Sequence, residues 1–414
     1  MQTLLLITYH FPPSAASGAF RMLGLARHLP RLGWRSVIVA PPRLPLEPVD
    51  LKLAEQLPAD TVVCSVPYPE GRLARLQRRF AAQAVWLPPA LRACKRAVEH
   101  YRPDAVLTSG PPHWVHLLGW ALKRRHGLPW LADFRDPWIT NNESLAGRPL
   151  RHRCQAFWER RVFRRADTII ANAPRAGEAL QSAFPGYAGK IHVVTNGFDA
   201  DSFPQNVAPP SSTPVRIVHA GELYLGRDPR PFLDALSDLK RSPDAAWRLC
   251  FLGRTDAGSY DLEAEIRKRG LEAQVELGGQ VSYEQSLYDM ARASILLLLD
   301  SPGRRSGVPA KLYEYLGAGR PILALAEPDS DTAWVLRESG VPHRIAPPAD
   351  RAKIRESLVD LIQRMRGQNV PSTDRERLSQ FTRKHMAERF AELLNEVIPD
   401  APVMPRSVVK VTND

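Results

Sequence analysis

Cysteine is scarce in this chain of 414 residues: Cys64, Cys94, Cys154 and Cys250 are all there is, and none stands in a C-x-x-C spacing. That argues against a disulfide framework and a thiolate zinc site, and it fits a reducing cytoplasm. Long apolar runs are missing too. None approaches the ~20 residues a bilayer-spanning helix needs. The opening run Leu4-Leu5-Leu6-Ile7 is short and has no basic flank, so it reads as a strand and not as a signal peptide. No short internal repeat is visible, and the loop after that first strand lacks the G-x-G-x-x-G fingerprint of dinucleotide binders.

What is present points to a globular protein. A hydrophobic share of 44% with 24% charged residues is that of a soluble chain, and the length allows two domains with sizeable cores. The net charge of +12 is unevenly placed. Of 56 Lys+Arg and 44 Asp+Glu, residues 1–205 hold 27 and 15 by count, which leaves 29 of each for the rest. The basic excess concentrates at Arg72, Arg75, Arg78, Arg79, Arg92, Lys95, Arg96 and Arg102, then from Lys123 to Arg125 and from Arg148 to Arg165. Such a surface favours a polyanion, either nucleic acid or an anionic membrane leaflet. The segment from Arg72 to Phe80, with Trp86, Leu87 and Leu91 beyond it, mixes cations with apolar and aromatic residues. It reads as membrane-interfacial, so an anionic membrane surface is the expected partner and nucleic acid is not, with solvated helix faces of an Arg-rich chain as the alternative.

Strand-like and helical patterns alternate along the chain, the signature of parallel α/β architecture. Strands are expected at 3–8, 36–40, 61–66, 104–108, 129–133, 167–171 and 191–194, with helices at 20–32, 90–101, 114–126, 150–165 and 174–184. Alternation restarts with strands at 215–220, 247–252, 273–277, 294–299 and 321–325 and helices at 229–240, 260–270, 284–292, 309–318, 331–339 and 350–365. The fold expected is two Rossmann-like doubly wound domains, 1–205 and 206–375, facing a cleft. A proline-rich linker falls at 200–213, a last helix at 376–398 returns to the first domain, and 399–414 is expected to be disordered. Ligands of such sheets lie at the carboxyl ends of the strands.

Several strand ends carry chemistry. The stretch Gly307-Val308-Pro309-Ala310-Lys311-Leu312-Tyr313-Glu314 follows an apolar run, with Pro309 suited to a first helical turn. A helix start with unpaired amides, a cation at Lys311 and a carboxylate at Glu314 is what a nucleoside diphosphate requires. Gly18 closes a loop of small residues before a helix, where a backbone can approach an anion. His113 follows Ser109-Gly110-Pro111-Pro112 at another strand end and can serve as hydrogen-bond partner or general base, although a lone His is more often a surface or packing residue. His10, Asp133, Arg135 and Asp136 can line the cleft, although an internal Asp–Arg brace explains the last three as well. Gly221 and Gly253 end two strands of the second half, and Arg227 can grip a phosphate. Asn196-Gly197-Phe198-Asp199 reads as a hinge.

Tyr9-His10-Phe11-Pro12-Pro13, Asp133-Phe134-Arg135-Asp136-Pro137-Trp138, Asn196-Gly197-Phe198-Asp199, and Lys311-Leu312-Tyr313-Glu314-Tyr315-Leu316 with Gly319 and Pro321 resemble, in this order, the family 4 glycosyltransferases of the GT-B fold. The resemblance covers nearly the whole chain. It implies a metal-independent retaining hexosyltransferase that needs no cofactor, with a UDP- or GDP-linked sugar held by the second domain and a glycan or polyprenyl-linked acceptor by the first. It implies a cytoplasmic enzyme at the inner face of the plasma membrane, in surface polysaccharide or lipopolysaccharide synthesis. Glu314 would hold the ribose, and Arg227 and Lys311 would neutralise the diphosphate. Gly18 would lie against that diphosphate, His113 beside the transferred sugar, and Gly221, Gly253, Ser306, Gly307 and Val308 along the donor. Two positions depart from the family. Ser306 stands where a second glutamate is common, and Glu222 where a basic residue is usual. A nucleotide-sugar epimerase on the same fold and a non-catalytic nucleic-acid-binding protein are the alternatives.

Overall fold

The structure, a computed structural model, describes residues 1–42, 49–69, 84–139, 149–204, 207, 213–223, 226–240, 246–255, 260–367, 369 and 371–398. The basic segment 72–80, the centre of the expected linker and the tail 399–414 lie outside them. Two compact units emerge: Met1–Ala171 with Leu180–Val194 and Ala387 onward, and Asn172–Ala179 with Thr195–Met386.

The first unit holds seven parallel strands: β1 (Gln2–Thr8), β2 (Trp34–Ala40), β3 (Val62–Ser65), β4 (Ala105–Gly110), β5 (Trp130–Phe134), β6 (Thr168–Ala171) and β7 (Ile191–Val193). Their order is β3-β2-β1-β4-β5-β6-β7. The sequence of β1, QTLLLIT, is buried at six consecutive positions. That is the pattern of a central parallel strand covered by helices on both faces. The order reverses between β1 and β4, which makes their carboxyl ends the crevice where ligands of such sheets bind.

The second unit repeats the plan with β8 (Val215–Ala220), β9 (Trp247–Leu252), β10 (Val275–Gly279), β11 (Ile295–Leu299), β12 (Ile322–Leu325) and β13 (His343–Ala346), ordered β10-β9-β8-β11-β12-β13 and all parallel. Its switch point lies between β8 and β11. One core cluster, with Phe232, Leu236, Phe251 and Leu358, covers one sheet face; Met290, Tyr315, Leu316 and Leu336 belong to a second cluster.

Besides the one-turn helix Lys52–Glu55, two elements differ from the sequence expectation. The edge strand β13 was not foreseen, because His343-Arg344-Ile345-Ala346 is only four residues long and mostly half-buried, too brief for a period to register. The last helix is two helices, Arg375–Ser379 and Arg383–Val397. The backbone between them is diverted into a parallel bridge from Thr382 to Phe198, and the Thr382 hydroxyl accepts the His385 amide to start the second helix. Residues from Ala387 onward belong to the first unit. There the Trp34 indole donates to Asn395 at 3.2 Å, and the Arg21 guanidinium lies 5.1 Å from the Phe390 ring.

Candidate active site

In the second unit the site is built on the helix Ala310–Ala318, which follows β11 through the loop 300–309. Tyr315 anchors it: its hydroxyl accepts the Ala220 amide at 2.8 Å and donates to the Leu297 carbonyl at 3.1 Å, so one side chain ties the helix to β8 and β11. The N-cap is Pro309, which supplies no side-chain acceptor. The helix therefore starts one residue later than the sequence suggests, with its first amides uncapped by a side chain. Lys311 stands there with its Nζ 2.8 Å from Glu314 Oε2. The contact is an ion pair without hydrogen-bond alignment, for Glu314 Oε2 is buried with no hydrogen-bond partner among the described residues. The hydroxyl of Ser306 is likewise buried and unpartnered.

The loop before the helix is internally braced. Asp300 receives Arg304 at 3.2 Å and the Thr332 hydroxyl at 2.8 Å, while Arg305 pairs with Asp329 at 3.1 Å. Its two arginines are thus engaged with acids. Gly307 adopts φ +82°, and its amide donates to Asp331 Oδ2 at 2.8 Å, so it too is already used; Val308 is half-buried beside it. Across the switch point, Gly253 has φ +117°, and a Cβ there would meet the Gly221 carbonyl at 2.6 Å. Gly221 itself is open: a Cβ on it would lie 3.6 Å from His219 Nε2 and 3.8 Å from Lys311 Cγ. Arg227 is half-buried and reaches the Glu222 carbonyl at 3.5 Å, while Glu222 is exposed.

In the first unit, Gly18 lies in the first turn of the helix Ser17–His28, whose N-cap Ala16 offers no side chain either. A Cβ at Gly18 would fall 1.7 Å from Arg135 Nη1. The close approach is made by a guanidinium, which also donates to the carbonyls of Gly110 and Pro111. A cation at the positive end of a helix is electrostatically unfavourable until an anion joins it. Asp133 does not line any opening: it is fully buried, with Arg21 at 2.9 Å and the Ser109 hydroxyl at 2.8 Å on its carboxylate. The internal Asp–Arg brace is real, but Arg21 makes it and not Arg135. Asp136 is exposed and His10 half-buried.

His113 departs most from its expected role. Its ring is buried against Phe134 and Trp138, each 5.4 Å away, and next to His116 at 5.6 Å. Burial first, then Arg135, push its pKa down to about 3, although a hydrogen bond to the Pro137 backbone opposes this. So weak a base is unsuited to proton abstraction near neutrality. A neutral, packed imidazole remains, with Nδ1 buried and unpartnered. Among the described residues, no three His, Cys, Asp or Glu side chains converge to hold a metal ion.

Residues 18–197 match the family described as glycosyl transferase 4-like domain, and residues 214–364 match glycosyl transferases group 1. The chain is a family 4-like glycosyltransferase of the GT-B fold. Solved structures agree on the fold. HepE of Anabaena in complex with UDP-glucose is 17% identical, with TM-score 0.66 over 96% of this chain and 100% of that one. Sucrose-phosphate synthase from Thermosynechococcus elongatus is 16% identical, with TM-score 0.68 over 96% and 99%. WaaG, a glycosyltransferase involved in lipopolysaccharide biosynthesis, is 15% identical, with TM-score 0.61 over 95% and 99%. None of the curated proteins matches the sequence.

Sequence reasoning missed three buried groups of this glycosyltransferase that the structure places at the two switch points. His219 sits near the end of β8, His116 lies behind His113 with its Nδ1 2.8 Å from Thr108 Oγ1, and Tyr315 spans two strands. Each occupies an apolar stretch where periodicity says "core". Only the adjoining Gly221 and Gly110 gave a signal, as bare positions next to a histidine.

Proposed function

We propose that this glycosyltransferase transfers a hexose from a UDP- or GDP-linked sugar to a glycan or polyprenyl-linked acceptor, with retention of configuration and without a metal ion or other cofactor. The observation that carries the donor half is the Lys311–Glu314 ion pair at an uncapped helix start, with Ser306 Oγ and Glu314 Oε2 both buried and without a hydrogen-bond partner among the described residues. An arriving diphosphate would draw Lys311 from Glu314 and free the carboxylate for the ribose diol. Arg227, Lys311 and the helix start then stabilise charge developing on the leaving diphosphate, which is electrostatic stabilisation by preorganised groups. Arg135 over Gly18 offers a second anion-favouring position, and His113 a neutral imidazole for a sugar hydroxyl. HepE in complex with UDP-glucose supports the donor class. The relatives' role in lipopolysaccharide synthesis supports a surface-polysaccharide acceptor.

Membrane apposition is part of the same proposal. The helix Pro149–Arg165 leaves Leu150 80% and Phe157 49% exposed among Arg151, Arg153, Arg160, Arg164 and Arg165. That mixture suits the anionic inner leaflet of the plasma membrane, where a lipid-linked acceptor would reside.

Calorimetric titration with UDP, GDP, ADP, CMP and NAD tests the donor half. One nucleoside diphosphate should bind, and Glu314→Ala should weaken it by about 1–3 kcal/mol, the range for losing a hydrogen bond to a charged group. Binding of none by the folded protein would overturn the reading. NMR of the product's anomeric proton decides between retention and inversion.

A further inference from the structure

His219 lies at the same switch point and has no place in the scheme above. It is 4% exposed, on the penultimate residue of β8. Its Nδ1 is 2.9 Å from the Leu297 carbonyl. A carbonyl only accepts, so Nδ1 carries the ring proton and Nε2 presents a lone pair. Among the described residues that Nε2 has no hydrogen-bond partner, and a Cβ on Gly221 would lie 3.6 Å from it.

Among the described residues, charged and polar groups reach the ring from three elements. Lys311 comes from the helix Ala310–Ala318, paired with Glu314, and Arg227 from the loop after β8. The Phe251 ring of β9 packs at 5.7 Å, and the Tyr315 hydroxyl shares the Leu297 carbonyl. Burial, Arg227 and Lys311 push the imidazolium form down to about pKa 4, while the Leu297 and Gly221 backbones favour it. The ring therefore holds one proton, on Nδ1, because burial and two cations keep a second from Nε2.

We propose that His219 is a proton-linked member of the diphosphate site: when a diphosphate docks on Lys311 and Arg227, the unpartnered Nε2 takes a second proton from solvent, while the Leu297 carbonyl keeps Nδ1. The inference rests on the donor-site reading and adds to it a third positive charge that exists only in the complex. Binding then weakens as pH rises, because the complex holds a proton that the free protein does not. The ionisation of the phosphate itself acts in the opposite direction.

The test is calorimetric titration of UDP, GDP and inorganic pyrophosphate near pH 6 in buffers of different ionisation enthalpy, with wild type and His219→Gln. Wild type should take up as much as about one proton more per bound diphosphate than the variant, and the ratio of its affinity to the variant's should fall as pH rises, by up to about tenfold per pH unit. Equal proton counts with intact binding would overturn the role of His219 and leave the donor site standing. Failure of all three ligands to bind folded wild type would remove the donor site and this inference with it. Should His219→Gln not fold, imidazole ¹⁵N shifts of wild type decide. Two protonated nitrogens on UDP addition support the role, and an unchanged neutral ring overturns it.

Discussion

Asp133 and His113 lie in neighbouring strand-end motifs of the first unit, and the burial of each bears on stability. Asp133 sits with Arg21 in a pair whose side chains are 0% and 1% exposed. Such a pair adds little over apolar packing, but removing one partner strands the other charge. Asp133→Asn should therefore cost about 3 kcal/mol of stability, read by urea denaturation. A loss within experimental error would show that the Val194 carbonyl, 2.9 Å from Arg21, suffices.

The buried histidine has its own pH signature. The His113 pKa falls from 6.5 to about 3 on folding. Between those values the unfolded chain binds more protons, so the stability it contributes is complete above 6.5 and is lost as pH falls. At about pH 5 one such histidine costs about 2 kcal/mol. Urea midpoints measured from neutrality downward should fall accordingly, and His113→Phe should flatten the slope. A variant slope equal to that of wild type would mean His113 is not buried neutral.

At the scale of elements, the motif around Asn196 is explained by packing. Gly197 admits the backbone of Phe381 to Arg383, where a Cβ would meet the Thr382 carbonyl carbon at 2.5 Å. Asp199 pairs with the buried Arg383 at 2.5 Å. Phe198 and Phe203 pack on the helix Ala310–Ala318 at Gly317, whose added Cβ would fall 2.3 Å from the Phe203 ring. Gly317→Ala should therefore overpack that contact and cost about 1–3 kcal/mol. Denaturation of the variant with and without UDP measures it, and unchanged stability would show that Phe203 swings away freely.

These elements also show what a sequence can reveal. Strands such as Ile295–Leu299 were legible because buried parallel strands read as unbroken apolar runs, and the helix Ala310–Ala318 because Pro309 and Gly319 bracket it. His219 and Tyr315 were not, since a polar residue inside an apolar run gives no hint of whether its strand or helix turns it toward a site. The pairing of Asp133 with Arg21 across 112 residues was invisible for the same reason. It depends on strand order, which a list of strands leaves open.

At the scale of the whole molecule, charge segregation is the property most in need of a purpose. The first 205 residues hold a formal +12 and the remainder none. Within the described residues of that half, the helix Pro149–Arg165 combines exposed Leu150 and Phe157 with a cationic face. Trp158 is stacked edge-on to Trp120 at 5.7 Å, and Arg161 lies 4.1 Å from the Phe157 ring. Nucleic-acid binding would need cations alone. A bilayer would also use the apolar side chains, and the two contributions separate with salt, which screens charges beyond about 8–10 Å at ordinary ionic strength but leaves apolar burial intact. Vesicles containing phosphatidylglycerol should therefore retain the protein at low salt, and neutral vesicles should retain it less. Replacing Arg160 and Arg164 together by alanine should cost about 2 kcal/mol, roughly thirtyfold in partitioning, at about 1 kcal/mol per cation near an anionic surface. Phe157→Ser should instead lower retention at both low and high salt, because what it removes is not screened. Equal retention on both vesicle types, or competition by random oligonucleotides that abolishes binding with no effect of Phe157→Ser, would assign the basic half to another polyanion.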